Sequence, residues 1–409
     1  MKKIILYWLL AGCLAGCDAA EPRTLADAAA PRVGPGLTVQ DGQFFKDGQP
    51  FHGIGVNYMT AFFRKLGLEG AAPNLADRSY LEGFKTLQAH DIPFIRFSLG
   101  GFFPNEWASY QTDKEAYFAA LDQLVADAEA TGLGLIPSLF WFFPTIPDLV
   151  GEPLDQWGNV DSKTHAFMRQ YTIEVVSRYK DSPAIWAWEF GNEWIHEADL
   201  PQPEMGRGWI VPRFGTPAER SARDKMFRKN IYVAYQAFAE TVRAIDPHRP
   251  VVSGDAMPRP SAYHNYHNGS WATDSLTQWE EMFLQDNAAM DALSSHFYYF
   301  SLEDTQHDVG YMEYGPEQQL PLMMEISRRA NKPLFIGEFG PQAKDKTLEE
   351  ERRQFELLLN LMVTNQVPLS ALWNYDFEHV DQTRWNITEA NHRAYMLDAL
   401  QQANRELKQ

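Results

Sequence analysis

Short apolar runs alternate along the chain with longer segments whose apolar residues recur every three or four positions. The runs centre on Ile54, Ile95, Leu135, Trp186, Val252, Leu293, Phe335 and Leu372, and they read as buried strands. Between them, Tyr117, Leu121, Leu124, Val125 and Ala128 fall on one helical face, as do Phe355, Leu358, Leu359 and Met362. A last helix is expected over residues 392–407. Eight strands in alternation with helices predict an α/β fold, a (β/α)8 TIM barrel. The main rival is a doubly wound open sheet, but no Gly-x-Gly-x-x-Gly fingerprint follows the first strand. Ahead of that strand, residues 37–50 hold two Asp-Gly pairs between short alternating runs. That pattern predicts a small N-terminal β-hairpin cap.

The 409 residues are 45% hydrophobic, ample for a large core, and the net charge is -18. So acidic a chain argues against nucleic acid or an anionic membrane surface as the main partner. Twelve Trp and seventeen Tyr exceed what a core needs, and surplus aromatics line sites for flat, amphipathic ligands such as sugars. Cys13 and Cys17 are the only cysteines, so the body has neither a disulfide nor a thiolate metal site. Both lie in a leader. Lys2 and Lys3 precede an apolar run, Ile4 to Leu10, that is too short to stay in a bilayer as a spanning helix. Leu14-Ala15-Gly16-Cys17 resembles the lipobox of bacterial lipoproteins, which implies cleavage before Cys17 and a lipid on its thiol. The alternative is an ordinary secretory signal cleaved nearby. The expected organisation is a signal peptide over residues 1–16, a flexible tether over 17–36 rich in Ala, Pro and Gly, and one barrel domain over 37–409. The expected location is the bacterial cell envelope, periplasmic or cell surface, with the membrane contacted only through the lipid.

Candidate chemistry sits where strands end. Glu193 follows the apolar run Ala184-Ile185-Trp186-Ala187-Trp188, and Glu338 follows Leu334-Phe335-Ile336-Gly337. An acid ending a buried strand is costly without partners or a task. In a barrel every strand end meets at one face, so these two distant glutamates share a rim. Two opposed carboxylates suit cleavage of a glycosidic bond, one neutral as proton donor and one charged. Arg96 ends the second strand and is expected to hold a carboxylate ionised. Tyr298 ends the sixth and can donate to the same group. His296, two residues earlier, points the same way in an extended strand. Trp373, ending the eighth, offers a floor for a sugar ring, and Asn192 a hydrogen bond to a sugar hydroxyl. Glu189, in mid-strand, reads as a member of a buried network, bonded to Arg or backbone.

In this arrangement the chain resembles glycoside hydrolase family five, over about residues 37 to 400. The motifs are Asn192-Glu193, Gly337-Glu338-Phe339-Gly340, Arg96, His296-Phe297-Tyr298 and Trp373. The resemblance implies Glu193 as acid/base and Glu338 as nucleophile of a retaining glycosidase. It also implies that substrate is a β-linked glycan, with β-mannan and β-1,4-glucan foremost. Two positions depart from the family: Trp194 stands where Pro commonly follows Asn-Glu, and Phe140-Trp141-Phe142-Phe143 where a histidine usually follows strand three. The stretch from Trp188 to Glu193 is similar to the Trp-Glu-x-x-Asn-Glu of β-mannanases. Two long loops, residues 141–161 and 194–216, carry Trp141, Phe142, Phe143, Trp157, His196 and Trp209; they are expected to wall a cleft and supply sugar platforms. Trp141 is counted with Trp373 as substrate-binding. No cofactor or protein partner is expected, and no metal, because His264, His267 and His296 lack a ligand pattern. A lipid-anchored barrel that binds glycan without cutting it is the alternative function.

Overall fold

The computed structural model describes residues 34–299, 314–342, 346–378 and 385–408. The expected signal peptide, with Cys17 and most of the expected tether, lies outside the described residues.

The cap forms where the two Asp-Gly pairs place it. Strands β1 (Leu37–Gln40), β2 (Gln43–Lys46) and β3 (Gln49–Pro50) make an antiparallel sheet. Both turns run through positive φ at consecutive residues, Asp41 (49°) with Gly42 (71°) and Asp47 (53°) with Gly48 (76°). Such two-residue turns twist with the strands they join. The cap is therefore one strand larger than the expected hairpin. Its inward residues, Leu37 and Phe44, pack with Phe94, Ile136, Trp186, Val252, Phe335 and Leu369. They plug the end of the barrel where the strands begin.

The barrel strands are β4 (Gly53–Asn57), β5 (Phe94–Ser98), β6 (Gly134–Phe140), β7 (Trp188–Gly191), β8 (Val251–Val252), β9 (Leu293–Tyr298), β10 (Leu334–Gly340) and β11 (Leu369–Leu372). All pair in parallel in the order β8-β7-β6-β5-β4-β11-β10-β9. At the β8/β9 seam, Asp291 N–H donates to the Val251 carbonyl (2.9 Å), and the Asp291 carboxylate accepts from Val251 N–H (2.9 Å). Each expected strand corresponds to one of these. Trp186 lies two residues before β7, its N–H donating to Leu135 C=O (2.9 Å), and Leu372 is the last residue of β11 rather than its centre.

The helices bury the faces that their periodicity predicts. In Lys114–Thr131 those are Tyr117, Leu121, Leu124, Val125 and Ala128; in Leu348–Thr364, Phe355, Leu358, Leu359 and Met362. Asp113 caps the first by accepting from Ala116 N–H, and a Thr347/Glu350 capping box starts the second. The last helix spans Tyr395–Leu407, three residues shorter at its start than expected. Its Asn404 side chain accepts from Ile54 N–H (2.7 Å) and donates to Ile54 C=O (2.9 Å). A buried backbone pair on β4 is thereby satisfied from the far end of the chain.

Candidate active site

At the rim where the strands end, one guanidinium organises the polar side chains. Arg96, fully buried on β5, donates from Nε to both oxygens of Glu189 (2.9 and 2.8 Å), from Nη1 to Glu338 Oε1 (2.8 Å) and Asn57 Oδ1 (3.0 Å), and from Nη2 to Asn192 Oδ1 (2.8 Å). Its face lies 4.6 Å from the centre of the Trp141 ring. A buried cation with this many partners fixes each of them in place. Burial would raise the Glu189 carboxyl, and it does so even against the Arg96 charge. Glu189 is thus the buried network member that its mid-strand position predicts.

Glu338 lies inside β10 rather than past its end, and a bulge aims it. The β9/β10 register pairs Ile336 with Ser295 and Glu338 with His296, leaving Gly337 as the extra residue. The Gly337 carbonyl, released from the ladder, accepts from Asn57 Nδ2 (2.9 Å). A Cβ on Gly337 would sit 3.0 Å from His296 Nε2. Tyr298 OH donates to Glu338 Oε2 at 2.5 Å. Burial, then the Glu338 charge, raises the Tyr298 hydroxyl well above its usual range, so it remains a donor. Both oxygens of Glu338 are held by donors.

Glu193 stands on a strained turn directly after β7, with φ of 53°. Such a backbone in a non-glycine residue persists only when its surroundings enforce it. Here Gly254 C=O accepts from Glu193 N–H (3.1 Å), and Asp255 Oδ1 accepts from Ile195 N–H (3.2 Å). Consecutive residues after β8 therefore hold both sides of the turn. Gly254, itself at φ 75°, has no room for a side chain: a Cβ would meet Gly191 O at 2.0 Å. The Glu193 Oε1 accepts from His296 Nδ1 (2.8 Å), and the same nitrogen is 3.6 Å from Glu338 Oε2. One oxygen from each glutamate and a nitrogen of His296 lie within 4.8 Å of one another.

Burial pushes the Glu193 carboxyl up, but the His296 hydrogen bond, with His196, His296 and Arg96 close by, overrides it and brings it down to about 2. These contacts hold Glu193 in the charged form.

The two acids open into a cleft of about 620 Å³. Trp141, Asn192, Tyr298 and Trp373 line it, with Phe102 and Trp209 on its wall. The Trp141 and Trp373 rings stand 6.2 Å apart at 31°. A cis peptide joins Trp373 to Asn374. Of the long-loop aromatics, Trp157 is fully buried and donates to Phe143 C=O (2.9 Å); it packs the loop and does not face the cleft. Asn57 and Asp255 were absent from the sequence candidates. Asn57 ends β4 and Asp255 lies three residues past β8, while Arg96, expected at a strand end, is the middle residue of β5.

Barrel, buried arginine and paired rim carboxylates together define a glycosidase of the (β/α)8 class. Residues 78–378 match the family model for Cellulase (glycosyl hydrolase family 5), and the chain belongs to that family. The putative mannan endo-1,4-beta-mannosidase 9 of Oryza sativa subsp. japonica is 25% identical over 356 residues, 78% of this chain and 76% of the rice protein. Among solved structures, the endo-1,4-beta-mannanase of Rhizomucor miehei superposes with a TM-score of 0.62 at 16% identity, covering 91% of this chain and all of the other. The beta-1,4-D-mannanase of Cryptopygus antarcticus does so with 0.59 at 17%, covering 90% of this chain and 94% of its own. At these identities the superpositions speak to the fold.

Proposed function

We propose that this protein is a retaining endo-β-mannanase, cleaving β-1,4-mannan or a closely related β-1,4-glucan by double displacement. The observation that carries the reading is the trio of Glu193, His296 and Glu338 within 4.8 Å. Retaining glycosidases hold their carboxyls roughly 5–5.5 Å apart, and inverting ones roughly 6.5–9.5 Å, to admit a water. The preference for mannan rests on the rice relative's name and on the Trp188-to-Glu193 motif.

Glu338 attacks the anomeric carbon, held by Arg96 and Tyr298 so that its charge and direction are set beforehand. Sugar entering the cleft expels water from around Glu193. Desolvation favours the neutral carboxyl, so Glu193 takes up a proton from solvent as the sugar binds and passes it to the leaving oxygen. Once Glu338 is an ester its negative charge is gone. Glu193 is then stable as a carboxylate and takes the proton of the incoming water.

Glu338→Ala is expected to abolish reducing-end release from a panel of β-mannan, mixed-linkage glucan, cellulose derivatives and xylan, with glycan affinity kept within a few fold. Cleavage at the parent rate would sink the nucleophile assignment. Glu193→Ala should lose about 10²–10⁴-fold on natural glycans, keep its attack on aryl glycosides with good leaving groups, and be rescued by azide to a β-glycosyl azide. An α product, or equal loss on all substrates, contradicts the reading. We further propose that a lipid on Cys17 anchors this barrel in the cell envelope through the segment over residues 17–36.

A further inference from the structure

Trp209 is the most exposed tryptophan among the described residues, 58% accessible, and it lies on the cleft wall. Its ring does not hang free. It packs on Phe142 (centroids 4.9 Å) and Phe102 (5.7 Å), which are themselves stacked at 4.4 Å and 8°. The backbone behind it is clamped. Arg220 Nη2 donates to the Trp209 carbonyl (3.0 Å), while the same guanidinium makes a two-pronged ion pair with Asp148, at 2.5 and 2.8 Å. Both charged side chains are buried, with 3% and 0% exposed. Asp148 belongs to the helix Thr145–Val150, directly after the stretch that carries Phe142. One loop thus supplies both the floor under the ring and the anchor for its backbone. Gly208 (φ 74°) lets the chain close: a Cβ there would stand 2.8 Å from Pro144 Cγ.

A buried ion pair costs desolvation and is weak evidence of stabilisation by itself. What this one accomplishes locally is to fix a loop so that an apolar ring faces the cleft, beside groups that would handle a polar substrate. Nothing in the reaction at Glu193 and Glu338 uses Trp209. We propose that Trp209, latched by Arg220 and Asp148, is a distal sugar-binding subsite, on which the C–H face of a ring remote from the cleaved bond of a β-linked glycan stacks. The proposal rests on the glycan-cleaving reading of the cleft and deepens it: recognition extends beyond the two carboxylates, so longer oligosaccharides bind better.

The test is calorimetric titration with β-1,4-mannohexaose, with cellohexaose in parallel, in the Glu338→Ala protein and in its double variants. Trp209→Ala should weaken hexaose binding about tenfold, or about 1.4 kcal/mol. Trp209→Phe should retain most of the affinity. Arg220→Lys, which keeps the charge and loses the fork, should weaken binding about threefold. Unchanged hexaose affinity in the Trp209→Ala double variant overturns the subsite, as does failure of both hexaoses to bind when Trp209 is present. Trp209 is exposed, so that variant decides the matter even if Arg220→Lys fails to fold. Affinity is read without turnover. A wrong nucleophile shows itself separately, as hydrolysis by Glu338→Ala.

Discussion

Asp255 shows how a residue that touches no substrate governs one that does. Its carboxylate accepts from Ile195 N–H on one oxygen and from Tyr235 OH on the other. Asp286 lies close enough to act on its charge. The nearest cation, Arg228, is engaged with Asp286 and Asp199, and Tyr232 also donates to Asp286. Three acids share one arginine. Burial first, and Asp286 after it, push the Asp255 carboxyl up to about 7, against the donors that favour its charge. An unfolded aspartate ionises near 3.8, so between these values the folded chain holds a proton that the unfolded chain has lost. Stability from this group therefore falls as pH rises from about 4 to about 7. Asp255→Asn keeps an acceptor for Ile195 and removes that dependence. Its melting temperature, compared with the parent's, should gain between pH 5 and pH 8, and an offset constant with pH would refute the assignment. At this scale the sequence speaks through misplaced charge. Glu193, Glu338 and Arg96 stand out because each ends or interrupts an apolar run. The reach of His296 to Glu193 is not legible in the sequence: 103 residues separate them, and no local pattern encodes the contact.

Among the elements, those with strong local grammar were legible. Two Asp-Gly pairs announce the cap, and an unbroken apolar face announces each long helix. Weaker grammar gave weaker readings. Strand β3 has two residues, one of them Pro50 at the sheet edge, and no alternation is visible in a pair. The bulge at Gly337 is likewise silent, because it is a mismatch between two strands and not a property of one. The cap makes a prediction of its own. Phe44 is buried among barrel residues at the opposite end from the acids. Phe44→Ala removes a large buried side chain, a change that typically costs about 3–5 kcal/mol. The variant should melt markedly lower than the parent while kcat, assayed well below that melting temperature, stays within about twofold. A matching loss of kcat in fully folded protein would mean that the cap also sets the site.

On the scale of the whole chain, the barrel topology was the most legible feature, because eight alternations leave few arrangements open. The long-range closures that complete it were not. The proposed lipid anchor belongs to this scale too, since anchoring concerns the molecule and not the cleft. If Cys17 carries lipid, the full chain should partition with membranes and Cys17→Ala should move to the soluble fraction with glycanase activity intact. Equal partitioning of both would refute the anchor.

The clasp between Asn404 and Ile54 bears on biosynthesis. Strand β4 hydrogen-bonds along one side to β5 and along the other to β11, and its remaining backbone pair waits for a side chain 350 positions later. A chain emerging from a ribosome exposes the early strand long before its last partners exist. For that interval its open edge is a template for wrong pairing. Folding of this enzyme is therefore expected to finish only after translation, and a chaperone that shields β4 should raise the yield of native protein more than one that acts on the late strands.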